Sequence, residues 1–393
     1  MKKRVAILIS LVMLVSILLA GCGNKPAENN TGNTTTENSD VIKIGVLEPM
    51  TGANAAGGEL EVEGVKLANK LYPEVLGKKV EIVVVDNKSD KVEAASAASR
   101  LVENEKVVAI VGSWGSSLSM AAGDIVKNAQ VPAVAASATN PLVTANNDYY
   151  FRVCFIDPFQ GKVMANYAFD KLGAKKVAIV QEVSNDYSIG LAKFFTDSFK
   201  ALTGDENAII AVANYNTGDQ DFSAQLTNIK AKNPDVIFAP GNFTESALLI
   251  KQARQLGITA PFIGGDTWET PEFVQIGGDA VEGAVFSTFF TSEKPITPES
   301  EKFLSEYKKA FPDKEPAAVT ALGYDAYILI LDAIKKVGAA DPVKVQAELA
   351  KTKDFPGAAG VITLDQDRNA VKDAVIKEVK GGKFTYLDIV GAK

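Results

Sequence analysis

No histidine occurs among the 393 residues of the chain, and only 2 residues are cysteines. The lack of histidine removes the commonest general base, the commonest zinc ligand and every serine–histidine or cysteine–histidine nucleophile pair. The Walker A, Cys-x-x-Cys and Gly-x-Ser-x-Gly motifs are also missing. We therefore expect a protein that is not an enzyme and that uses no metal and no other cofactor.

Positive charge is scarcer than negative charge. The chain has 41 Lys and Arg against 48 Asp and Glu, which gives a net charge of -7 at pH 7. A nucleic-acid partner would require a basic face, so we expect none. The fractions of hydrophobic residues (47%) and charged residues (23%) are those of an ordinary globular protein. Residues 41–393 exceed the size at which a single core keeps growing, which favours two lobes.

Long apolar runs are rare, and the most apolar one lies near residue 1. Residues 5–19 are apolar except for two serines, and residues 2–4 are basic. At about 15 residues, this run is shorter than the roughly 20 that a membrane-spanning helix needs. A basic start followed by a short apolar core is typical of an export signal, and we therefore predict that residues 1–21 are a signal peptide.

Cys22 follows directly after Leu-Ala-Gly. This order resembles the bacterial lipobox, in which the cysteine is lipidated and becomes the first residue of the mature chain. The alternative is a plain secretory signal with an incidental cysteine. Residues 23–40 contain no Val, Ile, Leu, Phe, Tyr or Trp, so they cannot bury enough apolar surface to fold. We expect residues 22–40 to be a flexible tether, with a two-chain lipid anchor on Cys22 at the outer face of the bacterial cytoplasmic membrane.

Beyond residue 40, short apolar runs alternate with longer amphipathic segments. Runs rich in Val and Ile predict buried strands at residues 41–47, 80–86, 107–111, 131–135, 177–180, 208–215, 236–239 and 261–264. Helical patterns lie between them, at residues 64–71, 94–103, 118–128, 190–202, 222–231 and 245–256. The alternation occurs in two series and predicts an α/β protein with two doubly wound parallel-sheet lobes. Ligands of such sheets bind beyond the carboxyl ends of the strands.

Two loops follow successive predicted strands and are rich in small polar residues. The first is Gly-Ser-Trp-Gly-Ser-Ser at residues 112–117, and the second is Ala-Ser-Ala-Thr-Asn-Pro at residues 136–141. Ser116 lies at a helix start, where an anion is favoured, although the same residues would also suit an ordinary helix cap. The second loop would equally suit a simple turn. Neighbouring parallel strands place their ends side by side, so both loops are candidates for one binding site.

The order and spacing of the motifs resemble the leucine/isoleucine/valine-binding protein family. The likeness begins at residues 46–52, Val-Leu-Glu-Pro-Met-Thr-Gly, and includes the two loops. It continues through residues 186–190, 219–223, 252–257, 264–266 and 323–326, and so covers essentially the whole body. The resemblance implies the type I periplasmic-binding fold, which feeds ABC importers and has two lobes joined by a three-strand hinge.

The resemblance also implies roles for particular residues. In that family, a hydroxyl and amides from the first two loops hold the amino-acid carboxylate, which points to Ser116, Ser137 (through its backbone) and Thr139. An acidic residue after a strand of the second lobe holds the ammonium group, and this position falls at Asp266. An aromatic residue that closes over the ligand falls at Tyr187. From the residues alone, Asp266 could instead cap a helix and Tyr187 could be a surface aromatic.

Three positions depart from the family pattern. An aromatic residue that is common near the first loop falls at Gly57, and a tyrosine of the second lobe falls at Asn242. Trp114 lies where smaller apolar residues are usual, and we expect it to face the ligand rather than the core. We include Trp114 and Asn242 in the predicted site. These departures leave the identity of the ligand's side chain open.

Family topology implies a discontinuous division into lobes. Residues 41–155 and 289–364 would form lobe one, and residues 156–288 and 365–393 would form lobe two. The three hinge crossings would lie near residues 155–157, 288–290 and 363–365. Chain order alone does not indicate this division.

Two groups of residues near the predicted site are expected to have no part in binding. Glu59, Glu61 and Glu63 alternate along the chain and are expected to face solvent. Cys154 has no partner cysteine in the body and is expected to fill space beside the hinge.

Two functions remain open from the sequence. The first is a monomeric lipoprotein that binds an amino acid, branched-chain or related, and delivers it to an ABC permease with its ATPase subunits. The second is an anchored sensor for an amino acid or a urea-like small amide, without transport. The sequence itself does not identify the amino acid, its affinity or the permease.

Overall fold

The computed structural model describes residues 41–392. Residues 1–40, which include the predicted signal peptide, the tether and Cys22, lie outside the described residues, as does residue 393. No helix within residues 41–392 is both long enough and apolar enough to span a membrane.

The first sheet has six strands in the order β2-β3-β1-β4-β5-β6. All neighbours in it are parallel except β2 and β3, which are antiparallel. The central strand β1 buries nearly all its side chains because helices cover both faces of the sheet. Its strands are β1 (Val41–Glu48), β2 (Glu74–Val75), β3 (Lys78–Asp86), β4 (Ala109–Gly112), β5 (Ala133–Ala135) and β6 (Tyr150–Arg152).

The second sheet begins with five parallel strands: β7 (Val177–Glu182), β8 (Ile209–Tyr215), β9 (Val236–Phe238), β10 (Phe262–Gly264) and β11 (Val285–Thr288). A separate antiparallel hairpin, β12 (Phe355–Gly357) and β13 (Gly360–Ile362), follows in the chain. Strand β14 (Ala374–Lys380) then joins the second sheet antiparallel to β11, and β15 (Lys383–Val390) pairs antiparallel with β14. The resulting order is β15-β14-β11-β10-β9-β7-β8.

Eleven α-helices lie within residues 41–392, most of them packed on the two sheets. They are α1 (Ala55–Leu71), α2 (Lys91–Ser99), α3 (Ser116–Ala129), α4 (Asp157–Asn166), α5 (Asp186–Thr203), α6 (Ser223–Lys232), α7 (Phe243–Gln255), α8 (Pro271–Gly277), α9 (Pro298–Ala310), α10 (Ala318–Val337) and α11 (Pro342–Leu349). Short π-helical turns extend α2 and α4, and a 3-10 turn at Asp266–Trp268 follows β10.

The chain passes between the sheets more than once. It leaves the first sheet after β6. It returns after β11, where α10 packs against α1 and β4. It then enters the second sheet again at β14. We use lobe one for the first sheet with α1, α2, α3 and α10, and lobe two for the second sheet with α4 to α8. The α/β class with two sheet-based lobes is confirmed, and the antiparallel strands at the sheet edges are an addition that the sequence did not indicate.

The expectation that Glu59, Glu61 and Glu63 all face solvent is wrong for Glu61, which is fully buried. All three lie on α1, where each residue advances by about 100°. Two steps turn the side chain by about 200°, so Glu61 faces the interior when Glu59 faces solvent. Glu63 is half-buried and pairs with Lys314 at 2.7 Å.

Candidate functional site

A cleft between the lobes encloses a cavity of about 80 Å³. Its walls are the loops that follow parallel strands of both sheets, as expected for folds of this class. Six of the seven residues predicted for the ligand site line this cavity: Trp114, Ser116, Ser137, Tyr187, Asn242 and Asp266. Thr139 is not among the lining residues. The predicted ligand contacts of all seven remain predictions.

The N-terminus of α3 is open toward the cavity. The capping position is occupied by Gly115, which has no side chain to cap the helix and adopts a φ of +91°. The backbone N–H groups of Ser116 and Ser117 therefore donate to no protein acceptor within residues 41–392. The Ser116 hydroxyl accepts a hydrogen bond from the Asn140 amide at 3.1 Å, which leaves its own proton free to donate. Free amides at the positive end of a helix favour a carboxylate.

In the second loop, Ser137 and Thr139 differ in what they can offer a ligand. The Ser137 hydroxyl donates to the buried carboxyl of Glu61, so only the backbone of Ser137 is available to a ligand, as the family likeness implies. The Thr139 hydroxyl is fully buried and has no partner within residues 41–392. An unpaired buried hydroxyl costs about 1–3 kcal/mol, so this group would gain by reaching a ligand oxygen.

Asp266 lies on the opposite wall, in the 3-10 turn after β10. Its Oδ1 accepts hydrogen bonds from Gln160 Nε2 at 2.7 Å and from the Tyr187 hydroxyl at 3.0 Å. Burial raises the pKa of Asp266 to about 6, while these two hydrogen bonds act in the opposite direction. The carboxylate is therefore ionised at neutral pH. No other side chain of the described residues bonds to its Oδ2, which leaves this oxygen for a cation.

Trp114 fills the space that Gly57 leaves empty. A Cβ on Gly57 would lie 2.3 Å from Cε2 of the indole, so no larger residue fits at position 57 beside this tryptophan. The indole is only 2% exposed and contacts Phe243 edge to face, with 6.1 Å between the ring centroids. The two departures in lobe one are therefore linked: the aromatic ring comes from residue 114 instead of residue 57. Trp114 is both a core residue and part of the cavity wall.

The lobes contact each other directly across the cleft. Asp186, at the start of α5, accepts hydrogen bonds from Lys91 at 2.9 Å and from the Ser117 hydroxyl at 2.7 Å. Its backbone carbonyl accepts another from Asn140 at 2.8 Å. Asn242 donates to Asn54 at 3.0 Å, so this residue bridges the lobes instead of covering the ligand with a ring. These bonds hold the cleft in a closed arrangement.

Several lining residues were missed by the sequence analysis. Glu182 is the last residue of β7, Ser184 and Asn185 follow that strand, Thr217 follows β8, and Asn54 follows β1. Each lies at or beyond the carboxyl end of a parallel strand, which is the signal that indicated the loop of Ser116. The rule was applied to two loops of lobe one, and extending it to β1 and to the strands of lobe two would have found these residues.

The cavity wall offers few ligands for a metal ion. Within residues 41–392 no group of three or more His, Cys, Asp or Glu side chains could hold a metal. The one remaining cysteine of that range, Cys154, is fully buried and unpaired, and its thiol lies 3.6 Å from the Ala138 carbonyl. What the cleft presents is free helix amides on one wall and a carboxylate on the other.

A comparison with known families agrees with this geometry. The family model described as "Periplasmic binding protein" matches residues 41–383. The chain belongs to this family. The likeness seen in the motifs is confirmed, and it extends over both lobes.

Relatives and solved structures give the same assignment. A leucine-, isoleucine-, valine-, threonine-, and alanine-binding protein of Pseudomonas aeruginosa is 30% identical over 84% of this chain and 87% of its own length. The structure of the leucine binding protein LivK of Thermotoga maritima is 43% identical, with a TM-score of 0.86, over 89% of this chain and 99% of that one. LivJ of Streptococcus pneumoniae, solved with isoleucine, is 37% identical, with a TM-score of 0.83 and the same coverage. These relatives are binding proteins, so the chain belongs with substrate-binding proteins and not with enzymes.

Proposed function

We propose that this protein binds an amino acid, branched-chain or related, in the cleft and delivers it to an ABC permease driven by separate ATPase subunits. The observation that carries the proposal is the placement of opposite charges on the two walls. The uncapped N-terminus of α3 with Ser116 suits a carboxylate, and the ionised Asp266 suits an ammonium group. A zwitterion matches both walls at once. The names of the relatives, and the isoleucine in LivJ, support this class of ligand.

Closure of the lobes on the ligand is part of the proposal. Lobe one would comprise residues 41–155 and 289–364, lobe two residues 156–288 and 365–393, and the hinge the segments near 155–157, 288–290 and 363–365. The bonds of Asp186 to Lys91, Ser117 and Asn140 join the lobes only when the cleft is closed. A ligand that contacts both walls would favour this closed form, and the permease would recognise it as a monomer.

A ligand screen by thermal unfolding tests the proposed class. Leucine, isoleucine, threonine and alanine are compared with 4-methylpentanoate, leucinamide, urea and acetamide. A ligand that binds only the native protein stabilises it by about 2.7 kcal/mol at a hundredfold excess over Kd. We expect stabilisation by one or more amino acids and none by the analogues that lack one charged end. Stabilisation by urea or acetamide alone would replace the amino-acid proposal with the small-amide one.

We also propose that the protein is exported and held by a lipid on Cys22 at the outer face of the cytoplasmic membrane. The support is the sequence of residues 1–22 and the polar tether that follows it. The Cys22→Ser variant is expected to leave the membrane fraction and enter the soluble or secreted fraction, because it lacks the thiol that accepts the lipid. Cell fractionation with Cys154→Ser as the matched control measures this. Retention of the Cys22→Ser protein in the membrane fraction would contradict the anchor.

A further inference from the structure

A pair of fully buried carboxyl groups lies directly behind the cavity wall of lobe one. Glu48 ends β1 and Glu61 lies on α1, and neither residue has any exposed surface. The two carboxyl groups lie close enough for the charge of Glu61 to raise the pKa of Glu48. Glu48 Oε1 and Glu61 Oε2 accept no hydrogen bond from any donor within residues 41–392. Neither residue lines the cavity, so the pair does not bind the ligand itself.

The outer oxygens of the pair hold the two loops that face the ligand's carboxylate. Glu48 Oε2 accepts the backbone N–H of Trp114 at 2.6 Å, in the loop before α3. Glu61 Oε1 accepts the hydroxyl of Ser137 in the second loop. The room for this arrangement depends on Gly112, where a Cβ would lie 2.7 Å from Glu48 Oε1. The chain of contacts therefore runs from one loop through both carboxyls to the other loop.

Two carboxylates in contact cannot both be ionised away from water. No Lys or Arg of the described residues forms an ion pair with Glu48 or Glu61. Arg152 is a buried cation, but it donates hydrogen bonds to the backbone carbonyls of Ala138 and Asn140 instead. A single proton between Glu48 and Glu61 satisfies the two oxygens that lack a donor and removes the repulsion.

We infer that Glu48 and Glu61 share one proton and act together as positioning residues, which hold both carboxylate-binding loops in the geometry that binds the ligand. This inference rests on the proposed function, because it assumes an amino-acid carboxylate at Ser116 and Ser137. Loss of the proton sets two buried negative charges against each other behind the loops, next to the negative end of the ligand. Binding is therefore coupled to the protonation of the pair.

The direction of the pH dependence follows from the groups that face the pair. Burial, together with the neighbouring Glu61, raises the pKa of Glu48 well above its usual range, whereas the pKa of Glu61 rises only to about 7, so Glu61 ionises first and Glu48 keeps the shared proton. The ionisable neighbours are Asp266, whose charge raises the pKa of Glu61 further, and Tyr150 and Cys154, whose own raised pKa values keep them neutral. Affinity should fall only at a pH above that of the Glu61 ionisation, where Glu48 loses the shared proton, by up to tenfold per pH unit for one required proton.

Asp266 acts in the opposite direction, because its ionised form binds the ammonium group and its pKa lies at about 6. The affinity is therefore expected to be highest near neutral pH and to fall on both sides. Asp157, beside Thr139 in the hinge region, has a pKa raised to about 8 by burial, so it is the other group that could produce the fall at high pH. The experiment must separate Asp157 from the pair.

Isothermal titration calorimetry with L-leucine between pH 5.5 and pH 8.5 tests the inference. In Glu61→Gln the amide can donate to Glu48 and still accept from Ser137, so it imitates the protonated pair. We expect this variant to lose the fall in affinity at high pH, and wild type to take up a proton on binding at the pH where its affinity falls, measured in two buffers of different ionisation enthalpy. Glu59→Gln, exposed on the same helix, is the matched control and should keep the wild-type profile.

Two results would overturn the inference: a wild-type fall at high pH that persists in Glu61→Gln, or one that disappears only in Asp157→Asn. Failure of wild type to bind leucine or any other amino acid at any pH would instead contradict the proposed function. The shared proton is then tested without ligand, by the infrared band of a protonated carboxyl at pH 6. Asp157, whose pKa of about 8 keeps it protonated at this pH, also contributes to the band, so the band should be weaker in the Glu48→Gln/Glu61→Gln double variant than in wild type, and an unchanged band would contradict the pair.

Discussion

The Asp266→Asn variant is expected to lose about two to four orders of magnitude of amino-acid affinity while keeping its fold. Removing one partner of a buried charge pair leaves the other without compensation, at a cost of about 3–5 kcal/mol. Asn keeps the shape of the side chain and an acceptor for Gln160 and Tyr187, which donate to Asp266 at 2.7 and 3.0 Å. The substitution therefore isolates the charge that faces the ligand's ammonium group. Isothermal titration calorimetry at pH 7.5, where wild-type Asp266 is ionised, measures the loss.

The pH dependence of binding gives a second measure of the same charge. Because burial raises the pKa of Asp266 to about 6, wild-type affinity should rise with pH through that value as the carboxylate forms. In Asp266→Asn this rise should be absent. Affinity for an uncharged amide should change little with pH in either protein.

The control for this experiment has to come from the surface of lobe two. From the sequence, Glu269→Gln, three residues after Asp266, is expected to change ligand affinity little. Glu269 is nevertheless unsuitable as a surface control, because it is buried and pairs with Lys377 at 2.6 Å. Asp279→Asn is the better match, since Asp279 is exposed. Equal affinity of Asp266→Asn and wild type would show that the ligand brings no positive charge, and would favour a urea-like amide.

The sequence predicted the sheets well where local pattern and tertiary structure agree. The run at residues 41–47 became β1, which is largely buried because helices cover both faces of the sheet, and the run at 80–86 became β3, whose residues are mostly half-buried. The loop of Ser116 was found by its position after a parallel strand, and Asp266 was predicted from the family resemblance. The antiparallel β14 and β15 were not found, since strands at a sheet edge lack a continuous apolar run and carry charges such as Lys380 and Lys383.

The inner wall of the site could not be predicted in the same way. Glu61 is polar and alternates with Glu59 and Glu63, so the local pattern does not mark it as buried. It faces the interior because it lies within α1, which begins at Ala55. The indole of Trp114 occupies the space that a side chain at position 57 would need, and Gly57 and Trp114 are far apart in the chain. Such contacts are set by packing of whole elements, which a local pattern does not contain.

Glu269 and Lys377 form the most buried ion pair among the described residues, with side chains 3% and 7% exposed. Glu269 also accepts hydrogen bonds from the Thr288 hydroxyl on β11 and from the amide of Ala318 at the start of α10, the latter at 3.3 Å. One carboxylate thus joins the carboxyl end of β11 in the second sheet to a helix of lobe one. The pair lies where the chain returns from β11 to lobe one.

The Lys377→Met variant is expected to lower the free energy of unfolding by about 3–5 kcal/mol, because the Glu269 carboxylate is left buried without a cation. Replacing both partners, in Glu269→Gln/Lys377→Met, should recover most of that loss, since two neutral groups of similar volume need no compensation. Urea unfolding of wild type, both single variants and the double variant gives the coupling free energy of the pair directly. Lys380→Met, at an exposed position of the same strand, is the control for loss of a lysine. A loss below about 1 kcal/mol in Lys377→Met would mean that water reaches the pair, as in a surface salt bridge.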